Sequence, residues 1–145
     1  MAKKKFKFTA AQERWLKALE SGKYKKGYNR LHNITNNGKS HTYCCLGVAC
    51  AVTSVELNVG KTGSSVRYNA CSTELPGAVR DELRLLYTTG YFASAAFKVA
   101  DPMHGVNAVT IASSLMVLND RARWSHKKIA AWIRAHPKQV FKPCA

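Results

Sequence analysis

Cys44, a cysteine at the predicted start of a buried helix, is the first candidate for chemistry. It opens the apolar segment 43–52, and the free N–H groups and dipole of a helix N-terminus lower the pKa of a thiol. His41 stands three residues upstream as a candidate base, and Asn119 or Asp120 could orient it. A catalytic base must lie close to the thiol in space rather than in sequence, so His32, His104 and His126 are equally possible candidates. One hypothesis is therefore a cysteine-dependent hydrolase; the alternative is that Cys44 only fills the core.

Two basic segments with interleaved aromatic residues are the second candidate, a surface for a polyanion. Lysine and arginine hold phosphates, and aromatic faces stack bases of single strands or nucleotides. The first segment contains Lys23, Tyr24, Lys25, Lys26, Tyr28 and Arg30; the second contains Arg121, Arg123, Lys127 and Lys128 around Trp124. The last two lysines fall in the first turn of a predicted helix, where exposed N–H groups favour an anion. The alternative is that the lysines only solvate the surface and the aromatic rings pack on the core.

The charge of the whole chain follows the same division. The 145 residues include 23 Lys+Arg and 8 Asp+Glu, a net charge of +15. The net charge is +8 in residues 1–30, zero in 31–120 and +7 in 121–145. Such asymmetry favours a polyanionic partner, either nucleic acid or a nucleotide. A hydrophobic fraction of 46% excludes a disordered chain.

The apolar runs and the cysteines of the chain predict its cellular location and whether it needs a cofactor. No run approaches the roughly 18–20 apolar residues of a membrane span, and no apolar signal core follows the basic start. We therefore expect no membrane association and a cytoplasmic location. The five cysteines are odd in number and two are adjacent, which favours free thiols. Their spacing does not match a zinc site, and we expect neither metal nor cofactor.

The elements that must position these residues follow from local signals. A capping box at Thr9 and Gln12 predicts a helix over 10–21, and Ser125 caps a last helix that Pro137 ends. Further helices are predicted over 43–52 (its first half alternatively a strand), 76–87 and 107–118, the last capped by Asn107. The turn Asn36-Asn37-Gly38-Lys39 predicts a β-hairpin with arms 28–34 and 40–43. Residues 56–73 are predicted to be irregular, with a hairpin around Val66 and Tyr68 as the alternative.

These elements predict an α+β fold, a mostly helical single domain with a small β-hairpin. Its expected divisions are a basic N-terminal arm over 1–8, a globular domain over 9–141 and a tail over 142–145. Residues 107–136 also look like part of a helix-turn-helix unit. The two prolines of the segment 137–143 forbid a long reading helix after it, so recognition in the major groove is not expected.

Two motifs in this chain resemble a known group of sequences. They are the core Tyr43-Cys44-Cys45-Leu46-Gly47-Val48-Ala49-Cys50 and the later Leu118-Asn119-Asp120. Together with segments 15–27, Leu75-Pro76 and Ile129-Ala130, they resemble a family of small uncharacterised bacteriophage proteins. The resemblance implies a phage origin, and with it the host cytoplasm, more than any activity. Small phage proteins of this kind often take over the host or counter its defences.

The sequence therefore predicts a phage-type accessory protein that is more a binder than an enzyme. The leading partner is nucleic acid, RNA or single-stranded DNA, held through phosphates with little sequence specificity. One alternative is a counter-defence factor that sequesters a nucleotide signal or blocks a host defence protein. The other alternative is the hydrolase that would use Cys44.

Overall fold

A capping box begins the first helix, α1 (Ala10–Glu20), of the computed structural model, which describes residues 5–143. The Thr9 hydroxyl accepts from the Gln12 backbone N–H at 3.1 Å, and the Gln12 side chain accepts from the Thr9 N–H at 2.9 Å. The helix buries Trp15, whose indole N–H donates to the Cys45 carbonyl at 2.9 Å. The predicted start, cap and packing face of this helix are confirmed.

The main sheet has four antiparallel strands in the order β2-β1-β4-β3. The strands are β1 (His32–Thr35), β2 (Ser40–Tyr43), β3 (Val59–Thr62) and β4 (Ser65–Tyr68). The hairpin at Asn36–Lys39 is confirmed, although its first arm starts later than predicted. Residues 59–68 form the hairpin that was the alternative to an irregular segment, because a turn at Gly63 lets β3 pair with β4.

Helix α2 (Cys45–Val52) is buried at its first six positions, so the predicted helix in the apolar segment is confirmed. Helix α3 (Gly77–Leu83) is shorter than predicted. It ends at Arg84, whose backbone adopts the left-handed conformation at φ 57°. A residue in that conformation terminates an α-helix whatever apolar residues follow.

Residues 107–118 do not form the predicted helix. They contain a strand, β6 (Val109–Ala112), which pairs with β5 (Phe97–Ala100) across a short 3-10 helix, Pro102–His104. Helix α4 (Leu115–Asp120) begins only after Ser114, whose hydroxyl accepts from the Val117 N–H. The β-branched run at the start of β6 favours a strand, although its apolar spacing also fits a helix. The first helix of the partial helix-turn-helix expected over 107–136 is therefore confined to the six residues of α4.

The last two helices of the described residues are α5 (His126–Ala135) and α6 (Pro137–Val140), and Ser125 caps α5 as predicted. Arg134 of α5 joins α1 through ion pairs of 2.9 Å to both Glu13 and Glu20. Part of the C-terminal positive charge is thus neutralised inside the fold.

Two aromatic residues of the predicted N-terminal arm contact the core. Phe6 and Phe8 pack against Phe141, with ring centroids 6.1 Å from it. Residues 1–4 and 144–145 of the predicted arm and tail lie outside the described residues. The α+β class is confirmed, but at 35% helix and 22% strand the description "mostly helical" is not. Within residues 5–143, every helix is too short or too polar to cross a membrane.

Candidate polyanion-binding surface

Asn119, at the end of α4, is the buried centre of the contacts that join the two basic segments. Its side chain is fully buried. Its amide oxygen accepts from the Cys45 N–H at 3.0 Å, and its amide nitrogen donates to the Gly27 carbonyl at 3.0 Å. The same nitrogen lies 2.7 Å from the Asp120 carboxylate. One side chain therefore connects the start of α2 to the loop that carries the first basic segment.

Lys26 forms a second connection between the segments. Its ammonium donates to the carbonyls of Asn119, at 3.0 Å, and Trp124, at 2.5 Å. The Asn29 N–H donates to the Asp120 carboxylate at 2.9 Å. Burial lowers the pKa of Lys26. These bonds bring two segments some ninety residues apart into one surface, which we call the junction surface and define as residues 23–30 and 121–128.

Cations lie over the aromatic rings of the junction surface. The Arg123 guanidinium is 4.2 Å from the centroid of Tyr28, and the Lys26 ammonium is 4.8 Å from it. The Lys128 ammonium is 4.4 Å from the centroid of Trp124. Cation–π contact holds a long side chain in place while leaving its N–H groups available. The surface therefore presents positioned cations rather than bare rings on which bases could stack.

Most of the predicted cations are exposed and have no acidic partner within the described residues. They are Lys23, Lys25, Arg30, Arg123, Lys127 and Lys128. Arg121 differs because its guanidinium lies 3.2 Å from the buried Asp101 carboxylate. Lys26 differs because its ammonium already donates hydrogen bonds to two backbone carbonyls. The junction surface thus has an excess of unneutralised positive charge. Its Tyr24 ring packs edge-on against Tyr43 at 5.3 Å.

The thiol of Cys44 lies in the core and is 5% exposed. It caps α2 by accepting from the Gly47 N–H at 3.3 Å, so the predicted helix start is confirmed. Burial raises the pKa of Cys44 to about 12, and the expectation of a lowered thiol pKa is wrong. The free-energy cost of removing the thiolate from water is larger than the stabilisation of the thiolate by the helix N-terminus. The Cys44 side chain is therefore a neutral thiol at pH 7.

The other two catalytic candidates have different partners. His41 bonds to His32 at 2.7 Å between ring nitrogens, and Asp120 bonds to Asn119 and to the Asn29 N–H. Among residues 5–143, Cys44 makes no hydrogen bond to a histidine or a carboxylate. In the same range no group of three or more His, Cys, Asp or Glu could hold a metal ion. Cys45, Cys50 and Cys71, like Cys44, are free thiols.

The contact between a buried histidine of β1, His32, and the exposed His41 of β2 was missed by the sequence reasoning. The ring nitrogens of His32 lie 2.8 Å from the Tyr68 hydroxyl and 2.7 Å from His41, and the ring stacks on Tyr43 at 4.2 Å. Burial, with a smaller contribution from His41, lowers the pKa of His32 to about 4. The strand alternation of His32 and Ile34 could have signalled a buried histidine.

His126, at the first position of α5, is also buried and faces Lys26. Neither of its ring nitrogens has a hydrogen-bond partner of good geometry in the described part of the chain. Burial and the nearby Lys26 charge lower the pKa of His126 to about 4, although the backbone of Tyr43 and Lys25 opposes the shift. His126 is therefore a neutral, buried member of the junction surface.

These two histidines predict that the domain loses stability in mild acid. Each binds a proton near pH 6.5 when unfolded but only near pH 4 when folded. The unfolded state then holds more protons between these values, so stability falls as pH falls, by up to about 1.4 kcal/mol per pH unit for each histidine. Urea unfolding from pH 7 to pH 4.5 measures this slope. His126→Leu should reduce the slope, and the exposed control His136→Gln should not; an equal slope in His126→Leu would contradict the assignment.

The features above define a small α+β domain in which a buried asparagine joins two basic segments. Residues 8–137 match a family model described as a domain of unknown function, DUF8296, and the chain belongs to that family. The matched range includes the whole junction surface. Searches of the curated proteins and of the solved structures found no match to the chain.

Proposed function

We propose that this domain is a phage-type accessory protein that binds nucleic acid through phosphate contacts on the junction surface. RNA or single-stranded DNA is the leading partner. Phosphate contacts position a strand but carry no sequence information, so we expect little sequence specificity. The cations that cover Tyr28 and Trp124 favour electrostatic contacts over base stacking.

The observation that carries this proposal is the placement of Arg123. Its guanidinium lies over Tyr28 of the other basic segment, and it has no carboxylate partner within residues 5–143. A guanidinium whose face stacks on an aromatic ring leaves the N–H groups along its edge free. Two of these N–H groups can donate hydrogen bonds to two oxygens of one phosphate. Lys25 and Arg30, exposed on the first segment, extend the same positive surface.

Lys26 serves a different purpose from its neighbours in this proposal. It holds the two segments together, so a substitution there would confuse lost folding with lost binding. The informative substitutions are Lys25→Gln and Arg123→Gln, one in each segment. Both side chains are exposed and neither makes a hydrogen bond within the described residues.

The test is a fluorescence anisotropy titration of a labelled single-stranded RNA of mixed sequence in low salt. We expect Lys25→Gln/Arg123→Gln to weaken binding by about tenfold or more, because two phosphate contacts are lost. The matched control is Lys61→Gln/Arg67→Gln, on the β3–β4 hairpin at the far edge of the sheet, which removes the same charges. Equal affinity of the surface variant and its control, or no binding by the wild type, would contradict the proposal.

A further inference from the structure

Strand β6 has a free outer edge over Val109–Ile111, which ends where the Phe92 N–H donates to the Ser113 carbonyl at 2.9 Å. In the β5–β6 ladder the Asp101 N–H donates to the Ala108 carbonyl at 2.8 Å, and Ala100 lies opposite Val109. In an antiparallel ladder, bonded and non-bonded pairs alternate, so Val109 and Ile111 form the non-bonded pairs with β5. Their backbone N–H and C=O groups therefore face away from β5. Within residues 5–143 these groups have no hydrogen-bond partner.

The side chains along this edge are apolar and exposed. Val109 is 62% exposed, Ile111 52% and Val106, in the preceding loop, 94%. Natural sheets protect such edges with lysine, proline or a bulge. Strand β6 contains none of these, and no Lys or Arg occurs anywhere in residues 99–120.

The other sheet edges in the described part of the chain are protected. Strand β3 carries Lys61, strand β5 carries Lys98, and the outer edge of β2 is closed by the bridge between Tyr43 and Lys26. The unprotected edge of β6 is thus an exception in its own fold. It also lies in residues 99–120, which contain no Lys or Arg, and the ladder places one cation beside it, Lys98 of β5, opposite Ile111.

We propose that a second copy of this chain pairs with β6 edge to edge, antiparallel, about a two-fold axis at Thr110. This register sets Val109 of each copy opposite Ile111 of the other. These residues are the ones whose backbone groups are free, so the pairing forms four symmetric N–H···O=C bonds. The two hairpins become one four-stranded sheet, and the exposed Val109 and Ile111 side chains become cross-strand neighbours. The interface is small, so the dimer is weak and depends on concentration.

Sedimentation velocity over a concentration series tests this dimer. The protein is first treated with nuclease and kept in about 0.5 M salt, so that nucleic acid cannot bridge two copies. We expect reversible monomer–dimer exchange in the wild type. Val109→Pro should shift it to monomer, because the proline removes an outward N–H and leaves the bonds to β5 intact.

Two further variants keep the test decisive. Ile111→Lys adds charge to the edge without a backbone change and should also give monomer. Val59→Lys, a matched change at an exposed valine of β3, should still dimerise. A wild type that stays monomeric at every concentration would overturn the proposal. So would association that survives both β6 variants, because another surface would then be responsible.

The register itself can be tested with a single cysteine. Thr110 of one copy lies opposite Thr110 of the other as a non-bonded pair, for which the Cα atoms are about 4.5 Å apart, within disulfide range. Thr110→Cys should therefore form a covalent dimer under mild oxidation. Thr62→Cys on β3 and the wild type, with its own thiols, should not. Cross-linking no greater than in these controls would refute the two-fold register.

Discussion

Gly47→Ala is expected to destabilise the domain by about 4 kcal/mol or more, a large part of a small domain's stability. A Cβ atom at this position would overlap the carbonyl oxygen and carbon of Leu31. The helix cannot move away, because the Cys44 N–H donates to that same Leu31 carbonyl at 3.2 Å. The next residue, Cys45, is held by Asn119. Relief of the overlap would therefore break the contacts that place α2 against the sheet.

Urea unfolding followed by circular dichroism measures this effect. Gly60→Ala is the matched control, because a Cβ atom there meets nothing within 4 Å and the backbone is not in the left-handed region. The control should unfold close to the wild type. If Gly47→Ala had the same midpoint as Gly60→Ala, the packing of α2 on Leu31 would be wrong.

Asn119→Ala should produce the second largest effect, a loss of about 3 kcal/mol together with weaker nucleic-acid binding. The substitution leaves the Cys45 N–H and the Gly27 carbonyl buried without their partner, at about 1–3 kcal/mol for each group. It also frees the loop over 23–30 from α4, so the two basic segments no longer hold a fixed spacing. Affinity should therefore fall even though no charge has changed.

Both consequences can be measured on one sample. Urea unfolding reports the stability, and the anisotropy titration, run where the variant is fully folded, reports the affinity. Asn58→Ala, at an exposed position between α2 and β3, is the control and should change neither quantity. Lower stability with unchanged affinity would mean that binding does not need the two segments to be joined.

Much of the fold could be predicted because its signals are local. The capping box at Thr9, the Asn-Gly turn at Gly38 and the cap at Ser125 each involve residues three or fewer positions apart. Local side-chain bonds of this kind determine where an element starts. The ends were less predictable, because a left-handed residue such as Arg84 has no sequence signature.

The strand β6 could not be distinguished from a helix by its apolar pattern. Ile111 and Ala112 fit one face of a helix with Leu115, but in the fold Ile111 is 52% exposed and Ala112 is fully buried. Burial on alternate residues is the strand pattern, and it becomes visible only once the partner strand β5 is known. Pairing over that distance has no local signal.

The candidate site was predicted in its residue types but not in its assembly. The basic segments were recognisable from composition, yet what joins them is Asn119, which the sequence suggested as an orienting group for a catalytic base. The two motifs that resemble phage proteins meet at this point, since Asn119 of one motif bonds to Cys45 of the other. Their residues have a structural role here. The thiol of Cys44 was misjudged because burial, which raises its pKa, depends on the tertiary structure.

The salt dependence of binding tests most directly whether the junction surface is one polyanion site. Each phosphate contact adds about 0.7 to the slope of log K against log salt for single strands. We predict that Lys25→Gln/Arg30→Gln and Arg123→Gln/Lys127→Gln each lower the slope for single-stranded RNA by about 1.4. Lys61→Gln/Arg67→Gln should leave it unchanged. A slope that falls in the variant of only one basic segment would contradict a single surface built from both segments. An equal fall in the control variant would contradict it as well.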